Sequence, residues 1–493
     1  MMDGDNDFDA SDFADFDSDD FTQNIPDRSA ETSSDQDGNK TPAPFPLGKI
    51  DLQQPPGFVG EIADWIDGQC RYKRRNLAVA SALVTVGNIG GLRHVDARDG
   101  VTSNMMAFCV AASATGKEAV QQAMAELHRA AGLGGAMQGA IKSEQEIMRN
   151  LIEHQPAFYV VDEIGIFLGK VRNAQKRGGA AYLEGVFGAI MSAYSKANTY
   201  LLLGGDTKRE LRKIYSGALA RAQDDGDTDA EARAQRMLGM VDHGLERPFL
   251  SMVGFTTPGT FDGIMDGETA TQGFVGRAII VSEKDINPAA RKGFKKAKLT
   301  DQLAGRLSVL YGGGAFDSMA RGSARIEYDG DMQAVDTTAE ADLMLQQVAD
   351  WLLKYADEMG EHTGEASVAM IRRAYEMIAK VSFILAIPSG TRTADHVRWA
   401  FAYVREEIDA KVALVFANDN ASNRPDEAMA ARVMNFIDPE KGATISVLAN
   451  RMKTTKEVLA RILTKMQAAK MIDERGTGRK YRGQAVTAWF VVG

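Results

Sequence analysis

Dense apolar runs alternate with helical stripes along this chain. Four runs are short, β-prone and bounded by polar or small residues: 103–110, 157–161, 249–255 and 278–281. Such runs predict strands buried on both faces, as in a parallel sheet. Apolar residues spaced by three and four predict helices over 56–92, 118–131, 143–154 and 183–197. Ser143 and Glu146 stand in capping-box register, and Gly132 follows the second helix as a C-cap. A strand signal at 93–96 precedes the first run, and a short strand is expected at 199–203. Residues 206–241 read as an inserted helical hairpin that turns at Asp224-Asp225-Gly226-Asp227.

The second half of the chain is helical by the same criterion. Leu345, Val348, Leu352 and Tyr355 form one apolar stripe, and Val368, Ile371, Tyr375 and Ile378 another; both read as core. After a linker at 418–425 come three helices, at 426–437, 444–452 and 454–469, and a hairpin over 471–492. Thr454 and Glu457 are in capping-box register, with Val458, Leu459, Ile462, Leu463 and Met466 as the inner face. Arg475-Gly476-Thr477-Gly478-Arg479-Lys480 is expected as a basic turn between the two strands. This order predicts a winged helix-turn-helix.

Composition sharpens the division into parts. The whole chain is 44% hydrophobic and 25% charged, with a net charge of −10. Residues 1–20 hold nine Asp and no Lys or Arg, whereas 441–482 hold eleven Lys and Arg against three Asp and Glu. Residues 1–46 predict an acidic disordered tail with Phe8, Phe13, Phe16 and Phe21 set among the aspartates. Such a tail docks on a basic groove of a replication partner, shields the protein's own nucleic-acid site, or only solvates the chain. The basic C-terminal part predicts DNA contact, with Lys453, Lys456, Arg475, Arg479 and Lys480 as candidates. A protein-docking module of the same fold is the other reading. The cluster Arg71-Tyr72-Lys73-Arg74-Arg75 reads as a solvated turn in preference to a nucleic-acid contact.

Two cysteines exclude a disulfide framework and suit a reducing cytoplasm. The acidic start is unlike a secretory signal. The longest apolar stretch, 77–92, is broken by Ser81, Thr85 and Asn88, so it predicts a buried helix and no membrane span. The six histidines show no metal-ligand spacing.

Candidate chemistry begins at the first strand. The run ending at Val110 passes into Ala111-Ala112-Ser113-Ala114-Thr115-Gly116-Lys117-Glu118 and then a helical pattern. A strand, a tight loop and a helix N-terminus cradle phosphates: backbone N–H groups face the anion and a lysine reaches its outer oxygens. Thr115, Gly116, Lys117 and Glu118 are therefore candidate ATP contacts. The general motif has Gly at 111 and Ser or Thr at 118. The run 157–161 ends in Asp162-Glu163. There an Asp holds Mg²⁺ and a Glu polarises the attacking water. Glu118 is a second candidate metal ligand. Thr256 and Thr257 end the third strand, where a hydroxyl senses the terminal phosphate. Arg277, just before the fourth strand, is a candidate finger for a neighbouring subunit's nucleotide. Residues 169–180 are expected as a mobile basic loop, with Lys170, Arg172, Lys176 and Arg177 as candidate contacts for single-stranded nucleic acid.

The segments ASATGKEAVQQAMAELHRAAGL, AFYVVDEIGIFLG, PFLSMVGFTTPGTFD and GFVGRAII, in that order, resemble the domain-of-unknown-function 3987 family of phage, plasmid and bacterial P-loop proteins. These are described as primase/helicase-like or replication proteins. The resemblance covers roughly residues 58–390. Its lysine loop often carries Asp or Glu after Gly-Lys, as at Glu118. It implies an α/β fold with a RecA-like or AAA-like P-loop NTPase core. The expected organisation is a tail at 1–46, a core at 47–300, an added helical region at 301–420 and the winged-helix domain at 426–493. The expected function is that of an ATP- and Mg²⁺-dependent DNA replication protein of a phage or mobile element. It is read first as a ring-forming helicase, with a hexamer as the expected ring, and otherwise as an initiator or helicase loader that uses nucleotide as a switch.

Overall fold

In the computed structural model of the chain, the described residues are 41–491, leaving out 178–180, 262–273, 284, 286–287, 313–331, 364, 424, 438–441, 453, 469–470 and 482–483. Residues 1–40 of the expected tail therefore lie outside them, whereas 41–46 are not disordered as expected: Trp351 Nε1 donates to the Pro42 carbonyl at 2.5 Å, and the Phe45 ring lies 5.2 Å from that of Phe401. The described chain divides between Val412 and Ala413 into two compact units.

The larger unit is α/β, built on a five-stranded parallel sheet. Its strands are β2 (Met106–Val110), β3 (Met137–Gln138), β4 (Ala157–Val161), β7 (Leu250–Thr256) and β8 (Ala278–Ser282). Their order is β3-β4-β7-β2-β8. All four predicted runs are strands, and β2, β7 and β8 are buried throughout. Two hydrophobic faces explain why these strands are apolar without alternation.

Helix α1 (Phe58–Gly68) leads into α2 (Arg75–Gly90), which is buried along its whole length. A helix apolar on all sides belongs inside the protein, and α2 lies against β2, β7 and β8. On α3 (Lys117–Ala130) only one face, Val120, Ala123, Met124 and Leu127, is buried. Helix α4 (Glu144–Glu153) starts at the expected cap, where Ser143 Oγ accepts from the Glu146 N–H at 3.1 Å. The opposite layer contains α5 (Ile164–Arg177) and α6 (Ala181–Ser195). Phe108 and its registered neighbour Gly254 face that layer, meeting Phe274 and Ile164. Cys109, one residue on, faces Ser81 of α2.

The expected basic loop at 169–180 is a correction. The chain is helical through Arg177, because Ile164, Leu168 and Val171 recur at i, i+4 and i+7 and are buried. The hairpin expected at 206–241 is formed by α7 (Gly205–Asp225) and α8 (Thr228–His243), with Gly226 in the left-handed region and Asp227 as the N-cap. The strand expected at 199–203 is β5 (Tyr200–Leu201), paired antiparallel with β6 (Leu245–Glu246).

The helices between residue 300 and Val412 belong to the same unit as the sheet. They are α10 (Asp301–Leu310), α11 (Ala339–Thr363), α12 (Glu365–Ala386) and α13 (Ala394–Asn423) as far as Val412, preceded by the short α9 (Pro258–Phe261). A small parallel sheet joins them to the core: β1 (His94–Asp96), β9 (Gln333–Thr337) and β10 (Thr391–Arg392), in the order β1-β9-β10. Helix α13 also covers the open edge of β8. Glu407 accepts from the Ile280 N–H at 2.8 Å, and Lys411 donates to the Ala278 carbonyl at 2.6 Å. An edge strand left bare would present these groups to another chain. No described helix is long and apolar enough to cross a membrane.

The smaller unit contains α14 (Pro425–Phe436), α15 (Ile445–Met452), α16 (Lys456–Ala468) and the antiparallel pair β11 (Ile472–Tyr481) and β12 (Gln484–Val491). Leu448, Leu459, Ile462, Leu463, Met466 and Trp489 share its core. Three details differ from the sequence reading. Thr455, not Thr454, caps α16 by accepting from the Val458 N–H at 3.4 Å. Val458 accordingly points outward. Arg475–Lys480 is not a turn: it lies within β11, where the register shifts between Gly476 and Lys480. Glycines inside a strand accommodate such a bulge, and the pairing continues past it to Tyr481 and Gln484.

Candidate functional site

Parallel register brings three chain segments to one end of the sheet. Val110 pairs with Thr256, and Val161 pairs with Gly254. Two residues past Val161 therefore come level with Thr256, with β7 between β2 and β4. The connections from β2 and β7 run to strands on opposite sides of β2, and the carboxyl ends of strands at such a switch are where open α/β sheets take ligands.

The loop after β2 has a fixed shape. Ala111 N–H donates to the Thr256 carbonyl at 3.1 Å, and Thr115 Oγ1 donates back to the Ala112 carbonyl at 2.7 Å. Ala114 and Gly116 have φ of 60° and 98°, the left-handed region. Gly116 is the N-cap of α3, and no side chain caps the helix. The N–H groups of its first turn thus face outward without a side-chain acceptor, which suits an anion.

Lys117 opens the helix and reaches back over the sheet. Its Nζ donates to the Thr256 carbonyl at 3.2 Å and stands 3.9 Å from Glu163 Oε1. Glu163 is one of three non-glycine residues at positive φ among the described residues, at 51°. Strain of this kind costs on the order of 1 kcal/mol and gathers at functional positions. Asp162 is exposed, and its Oδ1 accepts from the Glu163 N–H at 3.1 Å and from Gln121 Nε2 at 3.4 Å. Glu118 is exposed and accepts from Gln122 Nε2 at 3.1 Å. It lies three residues from Gln121, on neighbouring positions of α3. Lys117, Asp162 and Glu163 are therefore brought together, with Glu118 alongside.

A metal fits these residues in one particular way. Among the described residues no group of three or more His, Cys, Asp or Glu is placed to hold an ion by protein ligands alone. Mg²⁺ needs only one or two carboxylates when phosphates supply the rest of its shell. Asp162 and Glu118 are exposed carboxylates beside the first turns of α3.

Thr256 Oγ1 is buried without a partner, against the α5 N-terminus: a Cβ on Gly165 would come 2.5 Å from it. Its hydroxyl faces the start of α5, while its carbonyl accepts from Lys117 Nζ and the Ala111 N–H. Thr257 Oγ1 shares a hydrogen bond with Thr260 Oγ1 at 3.0 Å. Arg277 lies at the other end of the sheet, since Ala278 is level with Met106. Five residues of strand separate it from the level of Val110, roughly 16 Å. Within one chain it does not reach Lys117. Of the candidate nucleic-acid contacts, Lys170, Lys456 and Arg475 are exposed on α5, α16 and β11. Arg475 also pairs with Asp473 at 3.3 Å. The side chains of Arg172, Lys176, Arg177, Arg479 and Lys480, and all of Lys453, lie outside the described residues.

The support beneath the loop comes from residues that no sequence motif marks. Arg74, expected in a solvated turn, is fully buried, and its Nε donates to the Thr115 carbonyl at 2.6 Å. Its backbone N–H donates to Asp67 Oδ1 at 2.8 Å. Arg75 is buried too, donating to the Gln53 carbonyl at 2.5 Å and pairing with Asp64 at 2.8 Å. Glu283, just past β8, accepts from the N–H groups of Asn76 and Leu77 at 2.9 and 3.4 Å. Burial pushes its carboxyl up to about 7, against opposing hydrogen bonds and the Arg74 charge. One signal was present in the sequence: two arginines at a helix start oppose the dipole, so they needed partners elsewhere. No protein-family model matches the chain, and no curated protein matches it in sequence.

Proposed function

We propose that this chain is an ATP-binding, ATP-hydrolysing DNA replication protein of a phage or mobile element, with a RecA- or AAA-like P-loop core and a C-terminal winged helix. The observation that carries the reading is the meeting of Lys117, Asp162 and Glu163 at the carboxyl ends of β2 and β4, parallel strands on either side of β7. In this reading the α3 N-terminus and Lys117 neutralise β- and γ-phosphate charge, while Asp162 and Glu118 hold Mg²⁺. Glu163 orients and polarises the attacking water. Electrostatic positioning of this kind is most of what phosphoryl transfer requires.

Three helices and an antiparallel hairpin support the winged-helix reading, and the surplus of Lys and Arg over 441–482 supports contact with DNA phosphates. Because Arg277 lies far from Lys117 in the same chain, its role as a finger requires a neighbouring subunit. The working form is then a ring, with a hexamer as the proposed size, acting as a helicase. The decisive measurement is ATP turnover with DNA and Mg²⁺ for the wild type and Glu163→Gln. Turnover that does not exceed the Glu163→Gln background sinks the motor.

Glu118 favours a second reading. A carboxylate in the first turn of α3 repels phosphate unless a metal intervenes, which suits a nucleotide-switched initiator or loader with little hydrolysis. Footprinting on the element's origin separates the two: a specific protected site without unwinding marks the initiator.

A further inference from the structure

We infer that Tyr72 is the stacking platform for the base of the bound nucleotide, an inference that rests on the phosphate-site reading above. The ring lies against the start of α3: a Cβ built on Gly116 would come 3.4 Å from Tyr72 Cδ2. It is half-buried, so part of the ring remains open to a ligand.

The backbone that carries this ring is anchored on both sides. Tyr72 forms an antiparallel bridge with Ala290, and the Arg291 N–H donates to the Arg71 carbonyl at 2.9 Å. Arg291 Nη1 donates to the carbonyls of Asp67 and Cys70 at 2.5 and 3.2 Å. Two residues beyond the ring, Arg74 holds the Thr115 carbonyl. The segment 70–74 therefore touches the lysine loop twice, at Thr115 through a hydrogen bond and at Gly116 through the ring. An aromatic group fixed this way loses little freedom when a base packs on it.

Position and surroundings both suit a base. Phosphates at the N-terminus of α3 leave the sugar and base to project past Gly116, within one nucleotide of the ring. Arg71 and Lys73 flank Tyr72 and are exposed, adding positive potential on the same side. The Arg71 guanidinium is 6.0 Å from the ring centroid. A ring that only props the left-handed Gly116 is the competing account, and it makes a different demand on the ligand. A prop serves every anion at the site, whereas a platform serves only anions that carry a base.

The test titrates the full-length protein calorimetrically with ATP and with inorganic tripolyphosphate, both with Mg²⁺. The variants are Tyr72→Ala, Tyr72→Leu, which keeps bulk against Gly116, and Tyr72→Phe. Stacking on an aromatic side chain is strong enough that Tyr72→Ala and Tyr72→Leu each weaken ATP binding about tenfold. Tripolyphosphate affinity stays at the wild-type level, and Tyr72→Phe binds ATP like the wild type. Equal losses for both ligands overturn the platform in favour of the prop. Unchanged ATP affinity in Tyr72→Leu overturns it outright while leaving the phosphate site standing. A wild type that binds neither ligand removes the phosphate site itself, and the platform with it.

Discussion

Arg74 donates from Nε to the carbonyl of Thr115 at 2.6 Å, so the start of one helix holds the loop that leads into another. The contact joins α2, buried on all sides, to a loop whose own side chains are small. A loop of Ala, Ser, Thr and Gly makes few packing contacts, so its shape depends on hydrogen bonds supplied from outside.

Arg74→Lys and Arg74→Ala should both loosen that loop. Lysine keeps the charge but cannot reproduce the guanidinium fork. Each substitution is expected to lower unfolding free energy by about 2 kcal/mol, the scale of a lost hydrogen bond to a charged group. ATP affinity should fall in both. Denaturant melts together with nucleotide titration check this; Arg74→Lys matching the wild type in both would refute the bracing role.

Thr256→Val tests where the strand end acts. The hydroxyl is buried with no partner, so an isosteric methyl should leave stability unchanged or raise it by about 1 kcal/mol. The carbonyl that receives Lys117 is retained, so ATP affinity should hold. A loss of turnover in a stable Thr256→Val protein would show instead that the hydroxyl reaches the phosphate.

Glu283 gives stability a definite pH dependence. Its carboxyl lies at about 7 in the folded chain against 4.5 ordinarily, chiefly through burial. The folded state therefore binds more protons than the unfolded state between these values. Its favourable contribution is complete below about pH 4.5 and is lost as pH rises through 7. The full difference is about 3 kcal/mol. Glu283→Gln should flatten this part of the profile, as measured by urea unfolding at pH 5, 6, 7 and 8.

Glu163 combines a strained backbone with a carboxylate, and two substitutions separate them. Glu163→Gln keeps the strain and Glu163→Gly relieves it. Both should lack turnover, while Glu163→Gly should be more stable than Glu163→Gln by about 1 kcal/mol in thermal or chemical unfolding. Equal stabilities would show that φ of 51° carries no cost here.

The legible parts of the chain were those governed by local rules. The four buried strands announced themselves as β-prone runs, and Ser143 with Glu146 as a cap. Segment 169–180 was misread because its basic and glycine residues outweighed the i, i+4, i+7 pattern of Ile164, Leu168 and Val171. Arg475–Lys480 was misread because glycine marks a bulge as readily as a turn. Arg74 was hidden because arginine sits mostly at surfaces, and its burial depends on partners distant in sequence, among them a carbonyl 41 residues away.

The sequence alone determined that strands, a lysine loop and an Asp-Glu strand end exist, since each is written in a few neighbouring residues. Which of these meet was decided by tertiary structure. Parallel pairing inserted β7 between β2 and β4, bringing Lys117 to Glu163 and Thr256 while leaving Arg277 at the far end of the sheet. It also turned the Thr256 hydroxyl inward and placed Arg74, Tyr72 and Glu283 around the loop. The physical reason is range: hydrophobic periodicity and capping act within a turn or a strand. Register, side-chain direction and burial depend on partners tens to hundreds of residues away.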